Sequence, residues 1–192
     1  KTFGLQVAPL ELCELSACLE GVSRAETEEK LAEIGRVFRI EGASPSDQIA
    51  GAPDPEALLW AARMSCAEEK LAERAGMDAL AYYYHGEGGN LYERMIAGII
   101  VGNCLLTKAG VPCAGEGDLK TAVAMKIFDL LGAGGSFTEI VAADYDRDTI
   151  LLGHDGPFHM AMTDDRPVLR GMRVFHGKSG QGVSVEAKIK PG

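Results

Sequence analysis

Apolar residues recur at helical spacing through roughly the first two thirds of the chain, between segments rich in glycine and proline. Leu10–Leu19 and Glu26–Phe38 repeat apolar side chains every three or four residues, which predicts two amphipathic helices. A third, longer helix is predicted to begin at Pro55, because Asp54 is a good N-cap and proline suits the first helical position. It is expected to end before Gly76, because glycine commonly follows the last helical turn.

Short apolar runs separate the later helices. Met77–Tyr84 and Val111–Ala114 are rich in apolar side chains and predict strands. Asn90 is a good N-cap for a helix that is expected to run to about Gly110, and a further helix is predicted over Leu119–Leu131. The order strand, helix, strand, helix, with glycine at the joints, indicates βαβ units on a mostly parallel sheet.

The pattern changes after the glycine-rich segment at 132–135. Four strand-like runs follow it, at 137–145, 149–154, 168–175 and 183–190. The first two are joined by Asp-Arg-Asp, which predicts a hairpin turn, and no long helical pattern appears after them. We therefore predict an α/β protein in two parts. Residues 1–134 are expected to form a Rossmann-like parallel-sheet domain, and residues 135–192 a mainly antiparallel β segment.

Composition limits the classes of function. The chain is 46% hydrophobic and 24% charged, as in ordinary globular proteins, and its net charge of −9 disfavours attraction to nucleic acid or to anionic membranes. We expect neither a signal peptide nor a membrane span, and therefore a cytoplasmic protein. The five cysteines form no C-x-x-C pair and are expected to be buried free thiols rather than disulfides or zinc ligands.

Two acidic residues lie in the glycine-lined loop that follows the predicted strand Val111–Ala114. Asp118 is placed to cap the next helix, whereas Glu116 is not needed for capping and lies near the positive end of the helix dipole. A loop at the carboxyl end of a strand is where open α/β sheets bind small molecules. Glu116 is therefore a candidate functional carboxylate, and a simple helix-start acid is the alternative.

A second carboxylate and a histidine belong to the predicted hairpin. Alternation puts Glu139 on one face with Phe137 and Val141, where a carboxylate is costly to bury unless it is paired, protonated or bound to a metal. His154 ends the paired strand and can lie beside Glu139. Together with Glu116, these residues form a set of two oxygen ligands and one nitrogen ligand that suits Mn²⁺. The alternatives are an exposed strand charge for Glu139 and a turn residue for His154.

Three segments, GEGDLKTA, GGSFTEIVAADY and ILLGHDGP, resemble the metal-site region of the L-arabinose isomerase family and the related L-fucose isomerases. These families carry a Glu-Gly-Asp-x-Lys-Thr-Ala loop, a Ser-Phe-x-Glu strand and a Leu-Gly-x-His turn in the same order. Weaker similarity in TFGLQVAP, LLWAARM, ALAYYY and PVLRGMRVFHGK extends the resemblance over most of the chain.

The resemblance implies a metal-dependent aldose–ketose isomerase that acts on a free arabinose-, fucose- or galactose-like sugar through a cis-enediol. It implies that Glu116, Glu139 and His154 bind Mn²⁺ or another divalent cation, and that the two glutamates transfer the proton. Tyr84 matches an aromatic position of the family's sugar pocket. His85 lies in the next strand-end loop and is a further candidate for contacts with sugar hydroxyls. The family also implies a homo-oligomer.

The sequence departs from the family in ways that leave other functions open. It ends at Gly192, before the histidine that is the family's fourth metal ligand, and a domain that precedes Lys1 in the family is absent. We therefore expect an internal piece of a longer isomerase that is inactive alone. The His-Asp-Gly turn is closer to the fucose-type His-Cys-Gly, so the sugar stays unassigned. A non-catalytic sugar-binding or regulatory protein and a phosphate- or nucleotide-binding enzyme are the alternatives.

Overall fold

The structure is a computed structural model of the chain, and it describes residues 4–42, 46–83, 89–154, 156–172 and 182–189. Helices dominate the first two thirds of these ranges. Their bounds are α1 Leu12–Glu20, α2 Arg24–Val37, α3 Pro55–Ala75, α4 Leu91–Ala97, α5 Ile100–Lys108 and α6 Leu119–Leu130. The longest of them, α3, packs against α1, α2 and α5 and forms the centre of the helical layer.

Strands in the described ranges are short and form three small sheets. Their bounds are β1 Arg39–Ile40, β2 Ala50–Gly51, β3 Leu80–Ala81, β4 Cys113–Ala114, β5 Glu139–Asp144, β6 Thr149–Gly153, β7 Val168–Met172 and β8 Gly182–Glu186. In the largest sheet, β7 pairs with β1 in parallel and with β2 and β8 in antiparallel orientation. The parallel pair β3–β4 and the antiparallel hairpin β5–β6 are the other two sheets. The chain is therefore a mixed α/β protein, as the sequence predicts.

The ends of α3 follow from its sequence. Asp54 is the N-cap and its carboxylate accepts a hydrogen bond from the Glu56 N–H at 2.8 Å, with Pro55 at the first helical position. Gly76 ends the helix in the left-handed region at φ +58°, where a side chain would be strained. Both predicted boundaries of this helix are confirmed.

One predicted helix is divided in the structure. The sequence predicts a single helix from Asn90 to about Gly110, but α4 ends at Ala97 and α5 begins at Ile100. Gly98 lies at the break, against α3, and a Cβ placed on it would come within 2.7 Å of the Trp60 indole nitrogen. Glycine is a weak helix former, and its missing side chain is what lets α3 approach. The prediction of one continuous helix is wrong for this reason.

The core of the described residues contains two large apolar clusters and a smaller one, in which Ala114, Ala122, Met125 and Phe137 pack together. One large cluster lies between α1, α3, α4 and α5, and includes the fully buried Met64 and Met95. The other large cluster lies between α2, α3 and α5 on one side and β7 and β8 on the other, where Leu169 and Val183 contact the helices. The strands after the glycine-rich segment thus share a core with the helices before it. The domain boundary near Gly134 stays a prediction.

The cysteines are free thiols, and four of the five are buried. Burial raises the pKa of Cys66 to about 11 and that of Cys104 to about 12, so both thiols are neutral and poorly nucleophilic. Cys13 is exposed, so the prediction of buried thiols is wrong for this residue. Within the ranges that the structure describes, none of the helices combines the length and the apolar character needed to cross a bilayer.

Candidate metal and sugar site

The loop between β4 and α6 is tied to the end of the neighbouring strand β3. The Gly117 N–H donates to the Tyr82 carbonyl at 2.8 Å, and the Asp118 N–H donates to the Gly115 carbonyl at 3.0 Å. Glu116 and Gly117 both lie in the left-handed region, at φ +55° and φ +64°. The side chain of Glu116 is exposed. This loop therefore holds the first predicted ligand in a backbone conformation that non-glycine residues rarely adopt.

Asp118 has the capping role that the sequence predicts. Its carboxylate accepts hydrogen bonds from the Lys120 N–H at 2.9 Å and the Thr121 N–H at 3.0 Å, and from the Thr121 hydroxyl at 2.7 Å. The backbone hydrogen bond from Thr121 is the largest cause that lowers the pKa of Asp118. Since the Asp118 carboxylate is hydrogen-bonded to the first turn of α6, Glu116 is the acidic residue of this loop that is available to bind a metal or a substrate.

The β5–β6 hairpin brings Glu139 and His154 together. Glu139 pairs with Gly153 in the register of the hairpin, and His154 follows directly, so that a Glu139 carboxylate oxygen lies 3.5 Å from His154 Nδ1. The His154 side chain is only 8% exposed, whereas that of Glu139 is 49% exposed. The sequence placed Glu139 on a face with Phe137 and Val141; Phe137 is buried, but Val141 is 62% exposed. That face is therefore open to solvent along most of the hairpin.

His154 is enclosed by the Phe137 ring and by glycine backbone. The Phe137 ring packs edge-on against the imidazole, with 4.7 Å between ring centroids. A Cβ placed on Gly115 would lie 3.4 Å from His154 Cε1, and one placed on Gly156 would collide with His154 Nε2 and lie 3.1 Å from the Tyr82 hydroxyl. Neither imidazole nitrogen has a hydrogen-bond partner among the described residues. The site thus contains a buried imidazole that the described chain leaves unsatisfied.

The predicted ligands are only partly assembled. Glu139 and His154 are adjacent, and a Cβ added to Gly115, the residue that precedes Glu116, would lie 3.4 Å from the imidazole. Across the described ranges, no three His, Cys, Asp or Glu side chains are grouped so that they could hold one ion, so the Glu116 carboxylate does not complete a set with the other two. The proposed substrate contacts Tyr84 and His85 lie outside the described residues.

Two aromatic residues of the site were not predicted as site residues. Phe137 packs edge-on against His154, and Tyr82, directly after β3, accepts the hydrogen bond from the Gly117 N–H through its carbonyl. The sequence signal for Phe137 was its place two residues before Glu139, which alternation puts on the same face. Tyr82 was missed because the predicted strand ran to Tyr84, whereas β3 ends at Ala81. Tyr82 was therefore placed inside the strand and not in the segment after it.

Comparisons with known proteins give no further guide to this site, because no protein-family model and no curated protein matches the chain.

Proposed function

We propose that the chain carries the metal site of an aldose–ketose isomerase, in which Glu116, Glu139 and His154 bind Mn²⁺ or a similar divalent cation. The proposal rests on the sequence resemblance and on one observation, the buried and unsatisfied imidazole of His154 beside the Glu139 carboxylate. A non-catalytic sugar-binding protein with the same site is the second candidate, and it differs from the first only in turnover.

The donor types suit a divalent cation, although the Glu116 carboxylate lies apart from the Glu139–His154 pair. Burying a polar group without a hydrogen-bond partner costs free energy, and a bound cation would recover part of that cost at a nitrogen of His154. Imidazole and carboxylate are ligands that Mn²⁺ accepts. The half-exposed carboxylate of Glu139 leaves an open side from which an ion and a sugar could enter.

The backbone at Glu116 also supports a functional role. A non-glycine residue in the left-handed region costs on the order of 1 kcal/mol, and such residues cluster at active sites. Glycine would adopt φ +55° without that cost, yet the chain has a glutamate there. A glutamate in this strained backbone conformation, next to a glycine whose added Cβ would lie 3.4 Å from the His154 ring, favours a ligand role over that of a helix-start acid.

The proposed chemistry divides between the ion and the side chains. When bound, the cation would polarise the sugar carbonyl as a Lewis acid. Glu116 and Glu139 have exposed carboxylates, so either of them could take the proton from C2 of an aldose and return it at C1. The O2 hydroxyl proton must pass to O1 in the same sequence, and the two transfers together convert the aldose into the ketose. Proton transfer of this kind typically contributes about 10²–10⁴-fold to the rate. Phe137 would shield the imidazole from water on one side.

We also propose that the α/β part is Rossmann-like in its finer detail. The segment β3–α4–α5–β4 is a crossover between two parallel strands, and the site loop leaves the carboxyl end of β4. Ligands in open α/β sheets bind at that end of the strands.

The free thiols support a reducing compartment, in keeping with the expected cytoplasmic location.

The metal site is tested by a pair of glycine substitutions. Glu116→Gly removes the proposed ligand and relieves the left-handed backbone, so the fold should be retained while Mn²⁺ binding weakens by at least about tenfold. Asp148→Gly is the matched control, because Asp148 has φ +51° in the hairpin turn and no proposed role in metal binding. Isothermal titration calorimetry of chelator-treated protein with Mn²⁺ measures both, and Glu139→Gln is expected to behave like Glu116→Gly.

Equal Mn²⁺ affinity in wild type, Glu116→Gly and Glu139→Gln would contradict the metal site. Incubation of the Mn²⁺-loaded chain, and of a longer form that includes the segments expected on either side of it, with a panel of aldoses separates the two candidate functions. Ketose formation supports the isomerase. Sugar and metal binding without ketose in either form would favour the binding protein.

A further inference from the structure

The β5–β6 hairpin is unusually apolar for a surface element. Six of its large apolar side chains are more than half exposed: Ile140, Val141, Tyr145, Ile150, Leu151 and Leu152. They lie on both faces, since Ile140 pairs directly with Leu152 across the hairpin while Leu151 alternates to the opposite face. A hairpin of two strands is marginally stable in water without a third strand or a packing partner. This surface is therefore suited to contact with another protein surface.

The two edges of the hairpin differ. The β5 edge has a register shift between Ile140 and Ala142 and a charged residue at each end, Glu139 and Asp144. Bulges and charges are features that prevent pairing at an edge strand. The β6 edge, Thr-Ile-Leu-Leu-Gly, has neither charge nor proline, and no further strand of the described ranges pairs with it. The open edge available for pairing is thus β6.

We propose that two copies of this chain associate through β6, with the two β6 strands antiparallel and Leu151 at the two-fold axis. The strand is self-complementary in this register: Ile150 lies opposite Leu152 of the second copy, and Thr149 lies opposite Gly153 of the second copy. The two hairpins then form one four-stranded antiparallel sheet. Three or more strands with an apolar face give a sheet the stability that two strands lack.

The charges of the hairpin favour this antiparallel arrangement. The turn between the strands holds Asp146 and Asp148 next to Asp144, with Arg147 as the only basic residue of the hairpin. A parallel pairing would place two acidic turns side by side, in a chain whose net charge is −9. In the antiparallel arrangement, the two turns lie at opposite ends of the sheet, and the uncharged β6 strands meet between them.

The exposed apolar side chains would contribute part of the area of a dimer interface. A standard interface buries about 800 Å² on each partner, and the paired β6 backbones would contribute to this area together with the apolar side chains. A second copy would remove part of this surface from water and supply hydrogen-bond partners to the β6 backbone at the same time. Both gains come from one contact.

The dimer is tested by a pair of lysine substitutions at similarly exposed positions. Leu151 is 59% exposed on β6 and Val141 is 62% exposed on β5. Leu151→Lys places two like charges opposite each other at the axis and should raise the dimer dissociation constant by at least about tenfold. Val141→Lys lies on the other strand and should leave it within about threefold. Sedimentation equilibrium measures the constants, and circular dichroism checks the fold.

A second pair of variants decides the case if a lysine variant fails to fold. In a Cys13→Ser background, which removes the exposed thiol, Leu151→Cys should form a covalent dimer on mild oxidation, whereas Val141→Cys should not. A wild-type chain that stays monomeric up to about 100 μM would overturn the proposal. Equal weakening by both lysine variants, or equal cross-linking by both cysteine variants, would overturn it as well.

Discussion

The wild-type chain is expected to lose stability as the pH rises, and the substitution Glu68→Gln is expected to abolish most of that loss. Glu68 lies on α3 and is 5% exposed, and its carboxylate oxygens have no hydrogen-bond partner among the described residues. The carboxyl group packs against Gly102 of α5, where an added Cβ would lie 2.6 Å from Glu68 Cδ. Burial raises the pKa of Glu68 well above its usual value of 4.5, and the neighbouring charge of Glu69 adds to the effect.

The sign of the pH dependence follows from this raised pKa. Above the unfolded-state pKa, the unfolded chain has released the proton of Glu68 while the folded chain still holds it. The stabilisation is therefore complete below the unfolded-state pKa and is lost as the pH rises through the window up to the folded-state pKa. Within that window each pH unit costs about 1.4 kcal/mol. The Cys104 and Cys113 thiols near the carboxyl group also have raised pKa values, so they stay neutral there.

Urea unfolding at several pH values from about 5 to about 8 measures how the free energy of unfolding changes with pH in wild type and in Glu68→Gln. Glu69→Gln is the matched control, since the next residue of the same helix is partly exposed and pairs with Lys30 at 2.6 Å. The control should keep most of the wild-type slope, whereas Glu68→Gln should flatten it. Identical slopes in wild type and Glu68→Gln would contradict a buried, protonated Glu68.

Substitution of Gly171 by alanine is expected to destabilise the chain by about 3 kcal/mol. Gly171 lies in β7 opposite Gly51 of β2, and an added Cβ would lie 2.5 Å from the Ala52 carbonyl oxygen and 3.0 Å from the Pro53 Cα. These are backbone atoms, so no side-chain rotation relieves the overlap and the strands must separate. Glycine in a strand commonly marks such a close approach of another backbone.

Gly35→Ala is the control for this substitution. Gly35 lies inside α2, and an added Cβ would meet no atom within 4 Å. Since alanine is the better helix former, Gly35→Ala should stabilise the chain by about 0.5–1 kcal/mol. Denaturant unfolding of both variants gives the comparison. A Gly171→Ala variant as stable as wild type would contradict the close approach of β2 and β7.

The candidate site was predictable where it depends on local structure. Glu139 and His154 meet because a short turn joins β5 and β6 and fixes their register, and alternation with turn composition was enough to predict that hairpin. Their burial was not predictable. His154 is enclosed by Phe137, by Gly115 of a distant loop and by Gly156, and these contacts depend on how the hairpin base packs against the end of β4. The alternation of β5 also suggested a buried face, which the exposed Val141 contradicts.

The sequence by itself determined those helix ends that depend on interactions between residues within about four positions of each other. Asp54, Gly76 and Asp118 set helix ends through hydrogen bonds and backbone conformations of their own segment. Only the tertiary structure decided the break at Gly98, the place of β7 between β1, β2 and β8, and the burial of Glu68. Each of these depends on a contact between segments far apart in the chain, and local hydrophobic patterning does not specify which partner a surface will meet.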